Sequence, residues 1–339
     1  MNVRSNHQCT RIHDGLRRAS LGWMVGLVFL MVGEVRSQTV DVGGRAFVDY
    51  FYQLGSPDPA SEGLHGFTYR RLYLTADARL SEAFRSRARL EANDGTTGER
   101  GPVPYVKDLW IEWSYSGGHT ATLGVMKPPA YDRAEDVWRY RSLEKMVLDF
   151  QGINTSRDFG IRFDGPATPG AGVRYAFMLA NNSAARPETD VYKRGYGLVS
   201  FHPHEAVVLY VSADRAGYGD AREGGTRLSA FGGVDGDPAR IGMEAFWSEL
   251  QFVEGAAFRN AGVSLFGAYR LGPQWELVAR ADFTGERRGT EQVAETFVLA
   301  GAAYSPIEQV RIIPNLWMFR SDAAGDLDAL GRITVDVSF

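Results

Sequence analysis

The chain has 339 residues, 44% hydrophobic and 23% charged, which excludes both a disordered chain and a bundle of membrane-spanning helices. Its formal net charge of −4 gives no reason to expect nucleic acid as a partner. The composition remains compatible with a membrane β-barrel, because half of each barrel strand is polar.

Residues 1–37 are predicted to form a cleaved signal peptide. Arginines precede an apolar run from Leu21 to Gly33, which is too short to cross a bilayer core of about 30 Å as a helix. Val35 and Ser37 then suit a cleavage site before residue 38. A short buried helix or a membrane anchor is the alternative interpretation. The only cysteine, Cys9, precedes the run, so the mature chain has no disulfide, no catalytic thiol and no cysteine zinc site.

From residue 38 onward the chain has the pattern of β-strands. Apolar and polar residues alternate over about 8–12 positions, the period of a strand with one apolar face. Leu72 and Leu74 lie on one face while Arg71 and Tyr73 lie on the other, and the alternation recurs as far as the last segment, 332–339. The apolar face is expected to meet lipid and the polar face to line the lumen.

The connections between these strands alternate in length. Short links such as Ser81-Glu82 and Gly272-Pro273 are followed by longer polar links such as 95–104 and 285–293. Barrels of the outer membrane have this pattern, with tight periplasmic turns and longer extracellular loops. The prediction is therefore all-β: a transmembrane antiparallel β-barrel over residues 38–339 with about 16 strands, where about 14 or 18 are also compatible. A β-sandwich or a propeller is the soluble alternative.

The chain ends in Phe339, preceded by an apolar residue at every second position. This ending resembles the C-terminal signature by which outer-membrane barrels are recognised for assembly. It predicts the barrel assembly machinery as a partner through Phe339, outer-membrane lipid as the surroundings, and the outer membrane of a Gram-negative-type bacterium as the location.

The longest link, 127–156, is the third extracellular loop in this topology. A barrel of about 16 strands is too wide for wall side chains to fill. The loop is therefore predicted to fold inward and narrow the pore. It combines charged and aromatic residues, and its segment Ala134 to Leu148 is a candidate short helix.

Three motifs around this loop resemble those of a known family. They are Gly124-Val125-Met126-Lys127-Pro128-Pro129, Arg141-Ser142-Leu143 and Arg157-Asp158-Phe159-Gly160. In this arrangement they are similar to the middle of the phosphate-selective porin O/P family. The resemblance implies a 16-stranded outer-membrane porin, usually a trimer, that passes anions such as phosphate.

Passage of anions needs fixed positive charge in a confined path, and the planar fork of arginine suits phosphate. Neighbouring predicted strands and the loop supply such charges. The candidate pathway residues are Arg71, Arg79, Arg85, Arg87, Arg89, Arg133, Arg139, Arg141, Lys145 and Arg157. The alternative is that these arginines pair with wall carboxylates as structural salt bridges.

The predicted function is passive diffusion of small anions such as phosphate through a water-filled barrel. A general, non-selective porin is one alternative, and a plugged barrel acting as an outer-membrane enzyme or adhesin is another. No Gly-x-Ser-x-Gly, His-Glu-x-x-His or phosphate-binding loop occurs in the sequence. We therefore predict no enzyme activity, no catalytic residues, no metal and no cofactor.

Overall fold

Sixteen antiparallel strands form one closed barrel. The structure, a computed structural model, describes residues 39–95, 97–98, 101–217, 224–251 and 257–339. The predicted signal peptide, residues 1–37, lies outside the described residues. The predicted fold class and strand number are confirmed.

The strands follow one another around the barrel in chain order, and β1 pairs with β16 to close it. Their bounds are β1 Thr39–Gly55, β2 His65–Arg79, β3 Phe84–Asn93, β4 Tyr105–Tyr115, β5 His119–Met126, β6 Asp158–Pro166, β7 Val173–Ala180, β8 Arg194–His204, β9 Val207–Ala216, β10 Gly224–Asp235, β11 Ala239–Gln251, β12 Phe258–Arg270, β13 Trp275–Arg288, β14 Glu291–Ile307, β15 Val310–Ser321 and β16 Leu327–Ser338. Short connections and Phe339 lie at one end, the turn end; the longer connections lie at the other, the loop end.

The predicted alternation separates an apolar outer face from a polar inner face. On β4, Leu109 is 57% exposed on the outside, whereas the preceding Asp108 is 2% exposed on the inside. Because the barrel is closed, it has no edge strand. Backbone N–H and C=O groups, which would find no hydrogen-bond partner in the hydrocarbon of the membrane, therefore pair with the neighbouring strand. Among the described residues, no helix has the length and apolar character needed to cross a membrane.

One connection is shorter than the sequence indicates. Strands β13 and β14 remain paired as far as Arg288 and Glu291, so only Gly289 and Thr290 form the turn. Gly289 has a φ of 61°, a conformation that favours glycine. The predicted long link over 285–293 is wrong because backbone pairing continues through polar residues beyond the alternating segment.

The third long loop, residues 127–157 between β5 and β6 and called L3 below, contains two helical turns. These are α1, Asp132–Trp138, and α2, Val147–Phe150. They replace the single candidate helix over 134–148, because Arg139 adopts a left-handed conformation, φ 57°, and ends α1. Its N–H donates a hydrogen bond of 3.0 Å to the carbonyl oxygen of Glu135.

L3 lies inside the barrel with its apolar side against one part of the wall. The ring of Trp138 packs edge-on against Phe266 of β12 at 5.2 Å, and Phe150 packs against Phe297 of β14 at 4.9 Å. Leu143 and the other apolar side chains of L3 join lumen-facing residues of β7–β15 in one buried cluster. This packing leaves the polar side of L3 facing the opposite wall.

Candidate functional site

A cavity of about 870 Å³ runs between the polar side of L3 and the wall formed by β1–β4. Its lining begins at Asp41 and Ser338 near the turn end and reaches Arg157, the last residue of L3, toward the loop end. We call it the L3 cavity.

Positive charges outnumber negative ones in the L3 cavity. Within the described part of the chain, nine basic side chains line it: Arg45, Arg87, Arg89, Lys107, Lys127, Arg139, Arg141, Arg157 and Arg311. Six acidic side chains line it as well: Asp41, Asp77, Asp108, Glu135, Asp136 and Asp149. The chain as a whole has a net charge of −4, so the excess of cations is local to this path.

Two cations share one carboxylate at Asp108, which accounts for part of this excess. Arg157 donates to both carboxylate oxygens of Asp108, while Nη1 of Arg89 lies 3.5 Å from Oδ2 of the same group. Nε of Arg89 donates to the hydroxyl of Thr75 at 2.8 Å. The cluster therefore has a formal charge of +1 and retains N–H groups that the carboxylate does not occupy.

The same arrangement occurs one step closer to the loop end. Arg71 and Lys107 both pair with Glu91, whose side chain is fully buried, and the distance from Nζ of Lys107 to Oε2 is 2.9 Å. Nζ of Lys107 also donates to the hydroxyl of Ser156 at 2.9 Å, which connects this cluster to the end of L3. The charge of this cluster is again +1.

A third shared carboxylate lies where the barrel closes. Asp336 of β16 accepts two hydrogen bonds of 2.8 Å from Arg45 of β1 and pairs with Arg311 of β15 at 3.0 Å. The guanidinium of Arg311 also lies 5.2 Å from the ring centre of Tyr140 in L3. This cluster places a further net positive charge near the turn end of the cavity.

The three predicted arginines of β3, Arg85, Arg87 and Arg89, pair with carboxylates of the neighbouring strands. Arg85 pairs with Glu112 and Arg87 with Asp77, one cation to one carboxylate. Among the described residues, Arg79 has no ion-pair partner, and it lies beside Arg85 in the register of β2 and β3. Arg87, Arg89 and Arg157 line the L3 cavity, whereas Arg71, Arg79 and Arg85 lie outside its lining.

Of the four predicted pathway residues within 127–156, Arg139 and Arg141 line the cavity. Arg141 pairs with Glu135 at 3.2 Å and with Asp149 at 3.6 Å, and Arg139 pairs with Asp235 of β10. Arg133 and Lys145 are not part of the lining in the described structure. Lys145 instead lies 3.7 Å from Asp149 on its own segment.

Lys107 and Asp108 show why strict alternation missed part of the site. The register shifts between β3 and β4, so that Arg89 faces Asp108 while the next residue, Leu90, faces Val106. This β-bulge turns two consecutive residues toward the lumen, with Lys107 6% and Asp108 2% exposed. The predicted set also lacks Arg45, Arg311 and Lys127; the first two had only their charge as a signal, whereas Lys127 lies in the Gly-x-x-Lys-x-Pro motif.

Two acidic residues of α1 face the cavity with different protonation behaviour. Burial by itself raises the pKa of Glu135, but nearby Lys127 and Arg141 outweigh it and lower the pKa to about 2. Burial raises the pKa of Asp136 above its ordinary value. Glu135 therefore stays charged to low pH, whereas Asp136 is protonated more readily than a free carboxyl group.

Arginines of the wall hold L3 by its backbone carbonyl groups. Arg70 donates to the carbonyl groups of Ser142 and Leu143, and Arg332 donates to that of Leu143 at 3.3 Å. Arg280 donates to the carbonyl of Lys145 and packs near aromatic rings of L3. The Arg-Ser-Leu motif is thus the segment whose backbone carbonyl groups accept hydrogen bonds from the wall.

No protein-family model matches the chain, and no curated protein matches it. Solved structures do match. A loop L8 deletion mutant of OmpT, an outer membrane protein of Vibrio cholerae, is similar at 12% identity with a TM-score of 0.68, over 90% of this chain and 100% of that one. OmpT has also been solved in a trimer form.

Two further structures have the same fold. An anion-selective porin from Comamonas acidovorans matches at 12% identity and a TM-score of 0.66, over 89% of this chain and 100% of that one. The outer membrane channel DcaP of Acinetobacter baumannii matches at 10% identity and a TM-score of 0.62, over 89% and 98%. The chain thus has the fold of outer-membrane porins. With its apolar outer face, this fold places the barrel in the outer membrane, as the sequence predicts.

Proposed function

We propose that the barrel is a porin through which small anions such as phosphate diffuse passively across the outer membrane. The observation that carries the proposal is the local excess of cations, nine against six, among the side chains that line the cavity between L3 and the wall of β1–β4. Fixed positive charge in a narrow, weakly screened path raises the local concentration of anions and lowers that of cations.

The register of β2 and β3 supports successive contacts for an anion. Arg89 and Arg87, which line the cavity, are two positions apart on β3, about 6.6–6.8 Å from each other, and Arg85 follows at the same spacing outside the lining. Each guanidinium has five N–H groups, and a wall carboxylate occupies only some of them. An anion can move between the remaining donors without being held tightly, which conduction requires.

We propose two different roles for the ten pathway residues predicted from the sequence. Arg87, Arg89, Arg139, Arg141 and Arg157 contact the anion directly, since they line the cavity. The other five are proposed to act on the potential from nearby: Arg71, Arg79, Arg85, Arg133 and Lys145. Lys107 joins the first group because it lines the cavity beside Ser156.

The test is the reversal potential of single channels in a KCl gradient, with phosphate added as a competitor of chloride. Replacing Arg85, Arg87 and Arg89 together by Gln is expected to move the reversal potential toward cations and to weaken inhibition by phosphate. The matched control is Arg270→Gln, which removes an exposed arginine paired with Asp237 at the turn end. The effect should fade in 1 M salt, where the Debye length is about 3 Å.

An unchanged reversal potential in the triple variant would favour a general porin in which these arginines serve as wall salt bridges. Absence of any current from the wild-type barrel would favour the plugged barrel. We further propose a homotrimer, because OmpT of Vibrio cholerae, which shares the fold, has been solved as a trimer. The mass of the detergent-solubilised particle, measured by light scattering, tests this.

A further inference from the structure

Three exposed arginines lie on the outer face of the barrel near the loop end of their strands. They are Arg215 of β9, Arg259 of β12 and Arg287 of β13. The register of the strands places them in one continuous row of facing residues, which we call the outer row. It contains one residue from each of β8–β14: Gly195, Arg215, Thr226, Glu249, Arg259, Arg287 and Gln292.

The outer row carries more positive charge than its own side chains neutralise. Glu249 is its only acidic member and accepts a hydrogen bond of 2.6 Å from Nε of Arg259. Arg287 lies directly opposite Arg259, about 4.7–4.9 Å away across the strands, and like charges in such positions repel each other. Among the described residues, neither Arg215 nor Arg287 has an ion-pair partner. The row therefore has three cations and one carboxylate.

The carboxylates that neighbour these arginines in the sequence lie on the other side of the sheet. Asp214, which precedes Arg215, is 4% exposed and forms its ion pairs on the inner face. Glu286, which precedes Arg287, accepts a hydrogen bond of 3.4 Å from Asn260 on the inner face. The positive charge of the outer row therefore faces the surroundings of the barrel.

The outer row marks the loop-end edge of the apolar outer face. Two residues closer to the turn end, the outer-face positions of β9–β12 are apolar: Ala213, Leu228, Trp247 and Ala261. In outer-membrane barrels the longer loops are extracellular, and the apolar band ends at the head groups of the outer leaflet. The three arginines therefore lie at the level of lipid phosphate groups.

This charge is confined to one part of the barrel. On β3, β4, β6 and β7 the corresponding outer-face positions near the loop end hold exposed apolar side chains: Leu90, Val106, Phe159 and Leu179. The arginines are thus a local feature of β9–β13 and not a general property of the rim.

A groove in the apolar band lies on the turn-end side of Arg215. It has a volume of about 770 Å³ and runs over small residues of adjacent strands between larger side chains. The small residues are Gly197, Ala213, Ala230 and Ala245, and the larger ones include Phe177, Val211 and Trp247. Ala213 is two residues from Arg215, about 6.6–6.8 Å along β9. An acyl chain in this groove has its head group close to Arg215.

We propose that the outer row binds the phosphate groups of outer-leaflet lipids, with one acyl chain of a bound lipid in the groove. A guanidinium can donate two N–H groups to one phosphate, which supplies the negative charge that the row lacks. The acyl chain adds apolar contact area. Because this surface lies outside the lumen, the proposal does not depend on anion conduction.

The probe is dioleoylphosphatidylglycerol, titrated into the purified barrel in a neutral detergent, with the bound lipids counted by native mass spectrometry. It is expected to bind more tightly than dioleoylphosphatidylcholine, whose phosphate carries its own cation, and than glycerol phosphate, which has no acyl chain. The double variant Arg215→Gln and Arg287→Gln should weaken its binding by about fivefold for each arginine removed. Glu249→Gln should strengthen the binding, because it releases Arg259 for the lipid.

Arg270→Gln is the control, since it removes an exposed arginine at the turn end and should leave the lipid affinity unchanged. Ala213→Phe, which fills part of the groove, should weaken binding of the dioleoyl lipid but not of its short-chain dihexanoyl form. Equal binding of the two dioleoyl lipids, or an unchanged affinity in the double variant, would overturn the proposal.

Two further outcomes would also overturn it. If glycerol phosphate binds as tightly as the lipid, the outer row is a site for free phosphate. If the double variant forms a lighter particle while its lipid affinity is unchanged, the row belongs to a contact between copies of the chain. Light scattering of the same samples measures the particle mass.

Discussion

Arg87 of β3 donates two hydrogen bonds to Asp77 of β2, from Nε to Oδ1 at 2.6 Å and from Nη2 to Oδ2 at 2.9 Å. The two side chains have intermediate exposure, 32% for Arg87 and 42% for Asp77, and both line the L3 cavity. Water therefore reaches the pair, and its contribution to the free energy of unfolding is small. Its main effect is on the electrostatic potential in the cavity.

The first prediction separates charge from structure at this pair. Asp77→Asn should move the reversal potential toward anions, because it leaves Arg87 uncompensated, and Arg87→Gln should move it toward cations. The double variant restores a neutral site and should return the potential close to that of the wild type. If both single variants shift it in the same direction, the change reflects a displaced wall rather than charge.

The second prediction concerns Arg280, which forms an ion pair with Asp282 and holds L3 against the wall by a hydrogen bond. Arg280→Met leaves Asp282, which is 1% exposed, as an uncompensated buried charge, and removes a donor to the carbonyl of Lys145. Breaking such a pair should lower the free energy of unfolding by about 3–5 kcal/mol. Unfolding in urea and cleavage of L3 by added protease measure the two effects.

The control for this variant is Arg270→Met, where an exposed ion pair with Asp237 is lost. Its cost should be about 0–1 kcal/mol. Equal resistance of L3 to protease in the Arg280→Met variant and the wild type would contradict the role given to Arg280.

The third prediction concerns barrel closure. Gly44 and Phe339 exchange backbone hydrogen bonds of 2.6 and 3.0 Å, and a Cβ atom on Gly44 would lie 2.2 Å from the ring of Phe339. Gly44→Ala must displace that ring, so it should slow formation of the folded, heat-modifiable band in electrophoresis. Gly43→Ala is the milder control, since its nearest contact is a backbone oxygen at 3.3 Å.

The fourth prediction distinguishes two roles of Phe339. Phe339→Ala keeps the backbone pair with Gly44 but removes the ring, whereas deletion of Phe339 removes both. If the ring is the signal for the assembly machinery, both variants should insert slowly in cells, while only the deletion should fold slowly from urea into detergent. Normal insertion of both variants in cells would contradict a role in recognition.

The fifth prediction concerns pH. Asp136 has a pKa raised by burial, so on acidification it loses its negative charge earlier than Glu135, whose pKa is about 2. The anion preference should therefore increase between pH 7 and pH 4. Asp136→Asn should show less of this increase, while Glu135→Gln should shift the reversal potential equally at both pH values. An identical pH profile in Asp136→Asn and the wild type would contradict the assignment.

Much of the architecture could be predicted because it depends on local chemistry. When every second residue is apolar, only a strand can turn all apolar side chains to lipid and all polar side chains to the lumen. Sixteen such strands, joined by links of alternating length, form a closed barrel. The same alternation placed Arg85, Arg87 and Arg89 on the inner face. Their pairing with Asp77, Asp108 and Glu112 depends on which residues face each other across strands, and register is not visible in one sequence.

The sequence alone therefore determined the fold class, the inner and outer faces of the strands and the supply of cations. Only the tertiary structure decided how those cations combine. These combinations depend on contacts between distant segments. They include the bulge at Lys107 and Asp108, the packing of L3 on one wall, and the pairing of two cations with each of Glu91, Asp108 and Asp336. Their energies depend on distance and burial, which arise only once the barrel has closed.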